Sequence, residues 1–398
     1  MNLDFFEKFW LEKARSALAL PANVPDADAL EKIRADVSAL SDLFTTARPE
    51  HFRDYMSNAR LLAAYGLFFF PQSFARAQFA ISRLLGFCNW NPIIPGEDFS
   101  GVSEKKVLRV LDFGSGSAPC GLAIAGALRE RFPNAEILLT AVDRSRVALD
   151  ALAEMPLPEW LKISTQVADL RNFAGTRERF DVVALGWSLN EIVPADVSEG
   201  VEGAIVLLKK LAGSLAENGA LVVLEPALKS TAERLQHASD YFALNPGLPF
   251  WRLAPELGEH ACPLLAEGIS WNHEVRKWDA PASLEFLNRK LFREIQVLKF
   301  SWVALGKRPG DANGGVRENL LRLVSPLEIT KPALRFSAVS ARGEKIQVEI
   351  PTRGMCKNEC KKFAAEWERG DIARVSGTLN ALGTPGSFRL SGTIEKAG

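Results

Sequence analysis

VLRVLDFGSGSAPCG, residues 107–121, decides the reading of the chain. Val107 to Phe113 is a short, nearly continuous apolar run and reads as a buried strand. Two glycines break it, and the apolar positions from Ala118 to Arg131 recur with helical spacing. A strand passing into a helix through Gly114-Ser115-Gly116 is the geometry of a dinucleotide-type ligand turn. Gly114 and Gly116 let the backbone turn tightly where a Cβ would clash, with Ser115 between them. The helix N-terminus offers free N–H groups to an anion. Ala118 stands where a third glycine is expected and is small enough to keep helix and strand close. Asp112, at the strand end, is placed to accept from a ligand amino group.

Outward from this segment the rhythm is strand, helix, strand. Ile137–Val142, Ile163–Val167, Val182–Leu185 and Ala220–Leu224 read as strands. Val147–Glu154 and Val201–Leu215 read as helices, the second ended by Asn218-Gly219. Such alternation predicts an α/β fold with a parallel, Rossmann-like sheet covered on both faces, ligands binding at the carboxyl edge. Asp143 ends the second strand, where a carboxylate holds ribose hydroxyls; its alternative is a helix N-cap. Asp169 ends the third, in reach of an adenine amino group; its alternative is a solvated loop carboxylate. The fourth strand runs into GWSLNEI, residues 186–192. Trp187 there either stacks on a ligand or packs the core. Asn190 and Glu191 are the catalytic candidates, placed where an acceptor would meet a methyl group. No Pro-Pro-Tyr follows and no cysteine stands there, which excludes the signatures of exocyclic-amine and C5-pyrimidine chemistry. Together these features predict a methyltransferase core that binds S-adenosylmethionine (SAM), the methionyl carboxylate being the anion at the helix terminus.

The flanks differ from this core. Residues 1–100 carry helical spacing throughout, with Pro71 and Ser73 separating the last two helices and a Pro/Gly/Asn-rich linker at 89–101. Residues 101–310 form the expected SAM domain, closed by a late strand at Lys299–Leu305. Residues 225–278 give no clear pattern. The tail, 311–398, shows strand-like runs at 333–339, 345–350, 372–379 and 388–394, with a helix at 360–368 between the pairs. That order is compatible with a small five-stranded barrel of the oligonucleotide-binding (OB) type.

Composition narrows the setting. Of 398 residues, 47% are apolar, enough for a sizeable core, and the formal net charge is zero, so attraction to nucleic acid must come from a local surface. The N-terminus carries no basic start followed by an apolar run. The most apolar stretch, Leu61 to Phe70, is about half of the ~20 residues that a membrane span needs, so no membrane association is expected. Five scattered cysteines do not read as a disulfide framework, and a cytoplasmic setting is expected.

From about Leu61 to Gly370 the chain resembles the methyltransferase-like proteins of the mitochondrial small ribosomal subunit and their bacterial relatives. ARLLAAYGLFFFPQSFARAQFAI resembles their N-terminal helical region, LDFGSGSAPCG their SAM loop, and GWSLNEI their fourth-strand segment. Ala254-Pro255, Cys262-Pro263 and Trp271-His273 keep the register of their Ala-Pro-Cys, Cys-Pro and Trp-Cys-His elements. In those proteins the cysteines ligate an iron–sulfur cluster. This chain departs there: Glu256 and Asn272 replace two ligands and only Cys262 remains, which argues against a cluster. Cys262, Cys356 and Cys360 with His260 or His273 make a conceivable zinc set, against the simpler reading of free thiols. The resemblance implies the small ribosomal subunit or its ribosomal RNA as partner. The expected function is therefore an RNA-directed methyltransferase. The alternatives are a SAM-binding assembly factor without catalysis and a small-molecule methyltransferase. Arg335, Arg342, Lys345, Arg353, Lys357, Lys361, Lys362 and Arg374 supply a locally basic tail for phosphate contacts, or else a solvated mixed-charge surface.

Overall fold

A computed structural model describes residues 1–45, 56–88, 90–92, 106–173, 175–193, 197–293, 295–307 and 318–397. The chain divides into two compact units, Met1–Ser82 with Pro95–Ser188 and Lys277–Leu298, and Arg83–Ile94 with Leu189–Arg276 and Lys299–Gly398. The expected domain boundaries near residues 100 and 310 lie outside the described residues.

The first unit opens with three helices, α1 (Leu3–Ala17), α2 (Asp26–Thr45) and α3 (Ala59–Gly86). Aromatic side chains hold α1 to α3: the Phe6 ring centroid lies 5.1 Å from Phe70 and 5.3 Å from Phe74. Burying each such ring contributes about 1.5–3 kcal/mol. α3 runs straight through Pro71 and Ser73, so the expected break is corrected to one continuous helix. Pro71 has no N–H to give the preceding turn. Nearby, Gln72 Nε2 donates to the Phe68 carbonyl at 2.7 Å. Phe70, Phe74, Ala77 and Ile81 are all buried, so both halves of the helix are anchored in apolar core and the local cost is outweighed.

Then come β1 (Val107–Phe113), α4 (Pro119–Arg131), β2 (Glu136–Asp143), α5 (Arg146–Ala153), β3 (Leu161–Val167) and β4 (Phe180–Gly186), with α10 (Ala282–Lys290) later in the chain. The strands lie in the order β3-β2-β1-β4. Register pairs Phe113 with Val142, Asp143 with Val167 and Asp112 with Ala184, all parallel, so the ends of the strands meet along one edge.

The second unit holds α6 (Leu189–Ile192), α7 (Val197–Ala212), β5 (Leu215–Pro226), α8 (Lys229–Ala243), β6 (Trp251–Ala254), α9 (Pro263–Glu267), β7 (Glu274–Lys277) and β8 (Val297–Gly306). β8 lies antiparallel between β5 and β6, and β7 pairs with β8. The expectation of parallel strands therefore holds for β1 to β4 and not here. Asn218-Gly219 is also not a helix stop: α7 ends at Ala212, and the pair lies inside β5, where Trp90 Nε1 donates to the Asn218 carbonyl at 2.9 Å.

The same unit continues with β9 (Leu320–Leu323), β10 (Glu328–Ile329), β11 (Ala333–Ser340), β12 (Lys345–Pro351), α11 (Lys357–Ala365), β13 (Ile372–Ala381) and β14 (Ser387–Lys396). Pairing runs β9-β11-β12-β14-β13 and returns to β9, so the ladder of this second sheet closes on itself. β12 and β14 are parallel; the other pairs are antiparallel. Leu323, Leu334, Phe336, Val348, Ala373 and Leu390 pack in one apolar cluster with Trp367. The helix sits at 357–365, three residues earlier than its sequence pattern suggests. No helix among the described residues is long and apolar enough to cross a membrane.

Candidate cofactor site at the ends of the first four strands

Three residues after β1 take left-handed backbone angles in alternation: Gly114 (φ 77°), Gly116 (φ 54°) and Ala118 (φ 59°). A Cβ on Gly114 would stand 2.2 Å from Ser188 Oγ and 2.8 Å from Leu170 Cδ1, so only glycine fits the turn. Gly114 N and Ser115 N both donate to the Val142 carbonyl, at 2.8 and 3.1 Å. Ser115 is buried with its hydroxyl 3.3 Å from the Gly116 carbonyl. Ala118 caps α4 in the left-handed conformation with Pro119 at the first turn. The close helix–strand approach expected of residue 118 falls to Gly121, where a Cβ would meet Leu139 Cδ1 at 2.7 Å and Asp112 Oδ2 at 2.9 Å.

Asp112 does not stand open to a ligand. It is 1% exposed, and its Oδ2 accepts from Gly121 N at 2.7 Å, tying β1 to the start of α4. Burial pushes its carboxyl up to about 7, against the pull of that hydrogen bond. Through Oδ2, Asp112 thus braces the turn from below.

Asp143 is half-buried at the end of β2. Its Oδ2 accepts from Gly116 N at 2.8 Å and its Oδ1 from Ser145 N at 2.8 Å. The helix cap itself is Ser145, whose hydroxyl accepts from Ala148 N. Each Asp143 oxygen keeps a lone pair for a further donor. Asp169 accepts bidentately from the Arg171 guanidinium, which, above all other influences, holds its carboxyl down at about 2. A ligand amino group there must share the carboxylate with Arg171.

Trp187 follows β4 in a left-handed conformation (φ 57°), rare for a bulky side chain and a sign of local constraint. Ser188 Oγ lies 3.1 Å from both the Gly114 and the Gly186 carbonyls, joining the end of β4 to the glycine turn. The structure also brings in residues absent from the sequence reading. Arg76 of α3 lies over the Trp187 ring, 5.7 Å from its centroid. The Cys120 thiol would be 2.4 Å from a Cβ on Gly186. The Met56 methyl would be 3.2 Å from a Cβ on Gly116. The available signal was the run of polar side chains at 65, 72 and 76, which falls on one stripe of an otherwise apolar helix.

The SAM group expected from the sequence fits these residues. The turn admits no side chain at Gly114, and the fully buried Ser117 hydroxyl of the same turn has no hydrogen-bond partner among the described residues.

Asn190 and Glu191 belong to the second unit, on α6. Glu191 is exposed, and Asn190 lies near Glu225 of β5. Burial pushes the Glu225 carboxyl up to about 7, opposed by Arg234 and Asn190. Asn190 thus stands near a buried acid.

The iron–sulfur group suggested by the resemblance does not fit the second unit. Glu256 and Asn272 are buried and bonded to each other, Asn272 Nδ2 to Glu256 Oε1 at 2.5 Å. Between them stands Arg322 of β9, 2% exposed. Its Nη1 donates to Asn272 Oδ1 at 2.5 Å and lies 3.7 Å from Glu256 Oε1; its Nη2 donates to Glu274 Oε1 at 2.8 Å. A buried guanidinium opposes a metal cation, and burial pushes the Cys262 thiol up to about 12, away from the thiolate a cluster needs. Nor do the zinc candidates converge: Cys262 and Cys360 lie in separate apolar clusters, and Cys356 is exposed.

No known family profile matches the chain, and no curated protein sequence does. Among solved structures, the plantazolicin methyltransferase BpumL in complex with SAH is 14% identical with a TM-score of 0.34, over 71% of this chain and 98% of its own. A loganic acid methyltransferase with SAH is 12% identical with a TM-score of 0.37, over 64% and 96%. A putative RNA methyltransferase, PH1948 from Pyrococcus horikoshii, is 12% identical with a TM-score of 0.31, over 69% and 96%. Similarity this distant assigns neither activity nor ligand to this chain.

Proposed function

We propose that the first unit binds S-adenosylmethionine and that the chain is a SAM-dependent methyltransferase. The observation that carries this reading is the glycine turn at the end of β1, stapled to the end of β2 by the Gly116–Asp143 hydrogen bond. When bound, the cofactor supplies an electrophilic methyl group on a sulfonium, passed to a nucleophile held in line with it. Gly114 and Gly116 allow close approach, Asp143 offers two oxygens to ribose hydroxyls, and the Trp187 ring forms one wall. Titration with S-adenosylhomocysteine (SAH) by calorimetry tests it. Expected is micromolar binding that weakens about tenfold or more, about 1.4 kcal/mol, in Asp143→Ala. Absence of binding at millimolar ligand refutes the reading.

We infer further that the acceptor is RNA of the small ribosomal subunit. Two features support this: the closed ladder β9-β11-β12-β14-β13, which fits a Greek-key barrel of the OB kind, and the exposed cations Arg353, Lys357, Lys361 and Lys362 beside it, which have no ion pair among the described residues. Arg335, Arg342, Lys345 and Arg374 contribute less, because each is paired with a carboxylate. Co-sedimentation with small subunits, followed by methyl incorporation into their RNA, separates this acceptor from a non-catalytic assembly role and from a metabolite substrate.

A further inference from the structure

Tyr65, Gln72 and Arg76 share one face of α3. Arg76 reaches the end of β4, where its guanidinium covers Trp187. One of its Nη atoms donates to Gln72 Oε1 at 3.2 Å. Its Nε is fully enclosed and has no hydrogen-bond partner, and no carboxylate pairs with it among the described residues. The titratable groups beside it are the Tyr65 phenol and the Cys120 thiol, both pushed up by burial and so both neutral near pH 7. Burial holds Arg76 itself down to about 10, which still leaves it a cation. A half-buried cation without a counter-ion among the described residues is unfavourable, and the unfavourable term is relieved by an anion arriving with a ligand. Cys120 opens α4 and Ser188 binds the glycine turn, so the cation stands at the edge where the turn lies.

We propose that Arg76 receives the carboxylate of the cofactor's amino-acid arm, with Gln72 orienting the guanidinium and Trp187 fixing its plane. The assignment rests on the reading of the first unit as a SAM site. It makes Arg76 a determinant of ligand choice: ligands bearing the carboxylate are favoured, and those lacking it gain nothing from the residue.

Calorimetry with two ligands tests it. SAH carries the carboxylate; 5′-methylthioadenosine keeps the nucleoside and lacks the amino-acid arm. In Arg76→Gln, SAH affinity falls about tenfold to hundredfold while 5′-methylthioadenosine affinity stays as in the wild type; Arg76→Lys recovers part of the loss. A third variant, Arg76→Met, removes the unpaired cation, so the free protein unfolds at a higher temperature while SAH affinity drops. Equal loss for both ligands, or no loss for either, overturns the carboxylate assignment and leaves the SAM reading standing. A wild-type protein that binds neither ligand overturns both.

Discussion

Replacing Arg322 by Met tests whether the second unit is built around a charge cluster. The side chain is 2% exposed and serves three acceptor groups: Asn272, Glu274 and Glu256. Glu274 keeps Arg276, so its charge is only partly uncovered; among the described residues Glu256 keeps only the Asn272 amide. Removing one partner from a buried ionic cluster costs about 3–5 kcal/mol. Arg322 Nε has no acceptor among the described residues, which places the expectation toward the lower end. At 2–4 °C per kcal/mol for a unit of this size, the melting temperature falls by roughly 6–20 °C. Burial raises the Glu274 carboxyl, but Arg276 and Arg322 outweigh it and hold it at about 2, below its ordinary 4.5. A carboxylate depressed by folding stabilises above its unfolded pKa, and that contribution is lost as pH falls from 4.5 toward 2. Without Arg322 the folded value rises, so the variant unfolds at a higher pH in acid titration. Urea unfolding at pH 7 and circular dichroism from pH 7 to 2 supply the two readouts. Wild-type stability in the variant, within about 0.5 kcal/mol, together with an unchanged acid midpoint, would refute the cluster's structural role.

Two further outcomes follow from the first unit. Gly114→Ala forces a side chain into a left-handed position against Ser188, at about 1–3 kcal/mol of strain. Calorimetry should show SAH binding lost in this variant and reduced less in Gly116→Ala, where among the described residues only the Met56 methyl is near; equal affinity in all three proteins would show that the turn does not approach the ligand. Asp112→Asn keeps an acceptor for Gly121 N–H and removes a carboxyl raised by burial to about 7. In the wild type this group lowers stability as pH rises from about 3.8 to 7, because the unfolded chain has already released the proton. Melting curves of the variant should lack that decline, and parallel wild-type and variant profiles would exclude an ionising Asp112.

The alternation of β1, α4, β2, α5, β3 and β4 was legible because short apolar or β-branched runs alternate with helix-forming ones between turn residues. The glycine turn was legible because its backbone angles demand particular residues. Residues 225–278 were opaque for the opposite reason: β6 and β7 are four residues long, and Arg252, Glu256, Asn272, Glu274 and Arg276 are polar yet buried. A reading that sends polar groups to solvent fails where they satisfy one another. Arg76 escaped notice because it lies in an apolar helix more than thirty residues before the turn, and only tertiary structure brings it to Trp187. The burial of Asp112 was not legible, since it depends on how tightly α4 returns onto β1.

The arginine standing among Glu256, Asn272 and Glu274 changes what the second unit depends on. Carboxylates, an amide and a guanidinium are all encoded by the gene, so this joint can close as soon as its strands meet, with no inorganic component to be delivered and no sulfur ligand exposed to oxidation. Iron scarcity and oxygen leave such a joint untouched. Its vulnerability lies in acid, where protonation of Glu274 removes the one carboxylate that Arg276 and Arg322 share.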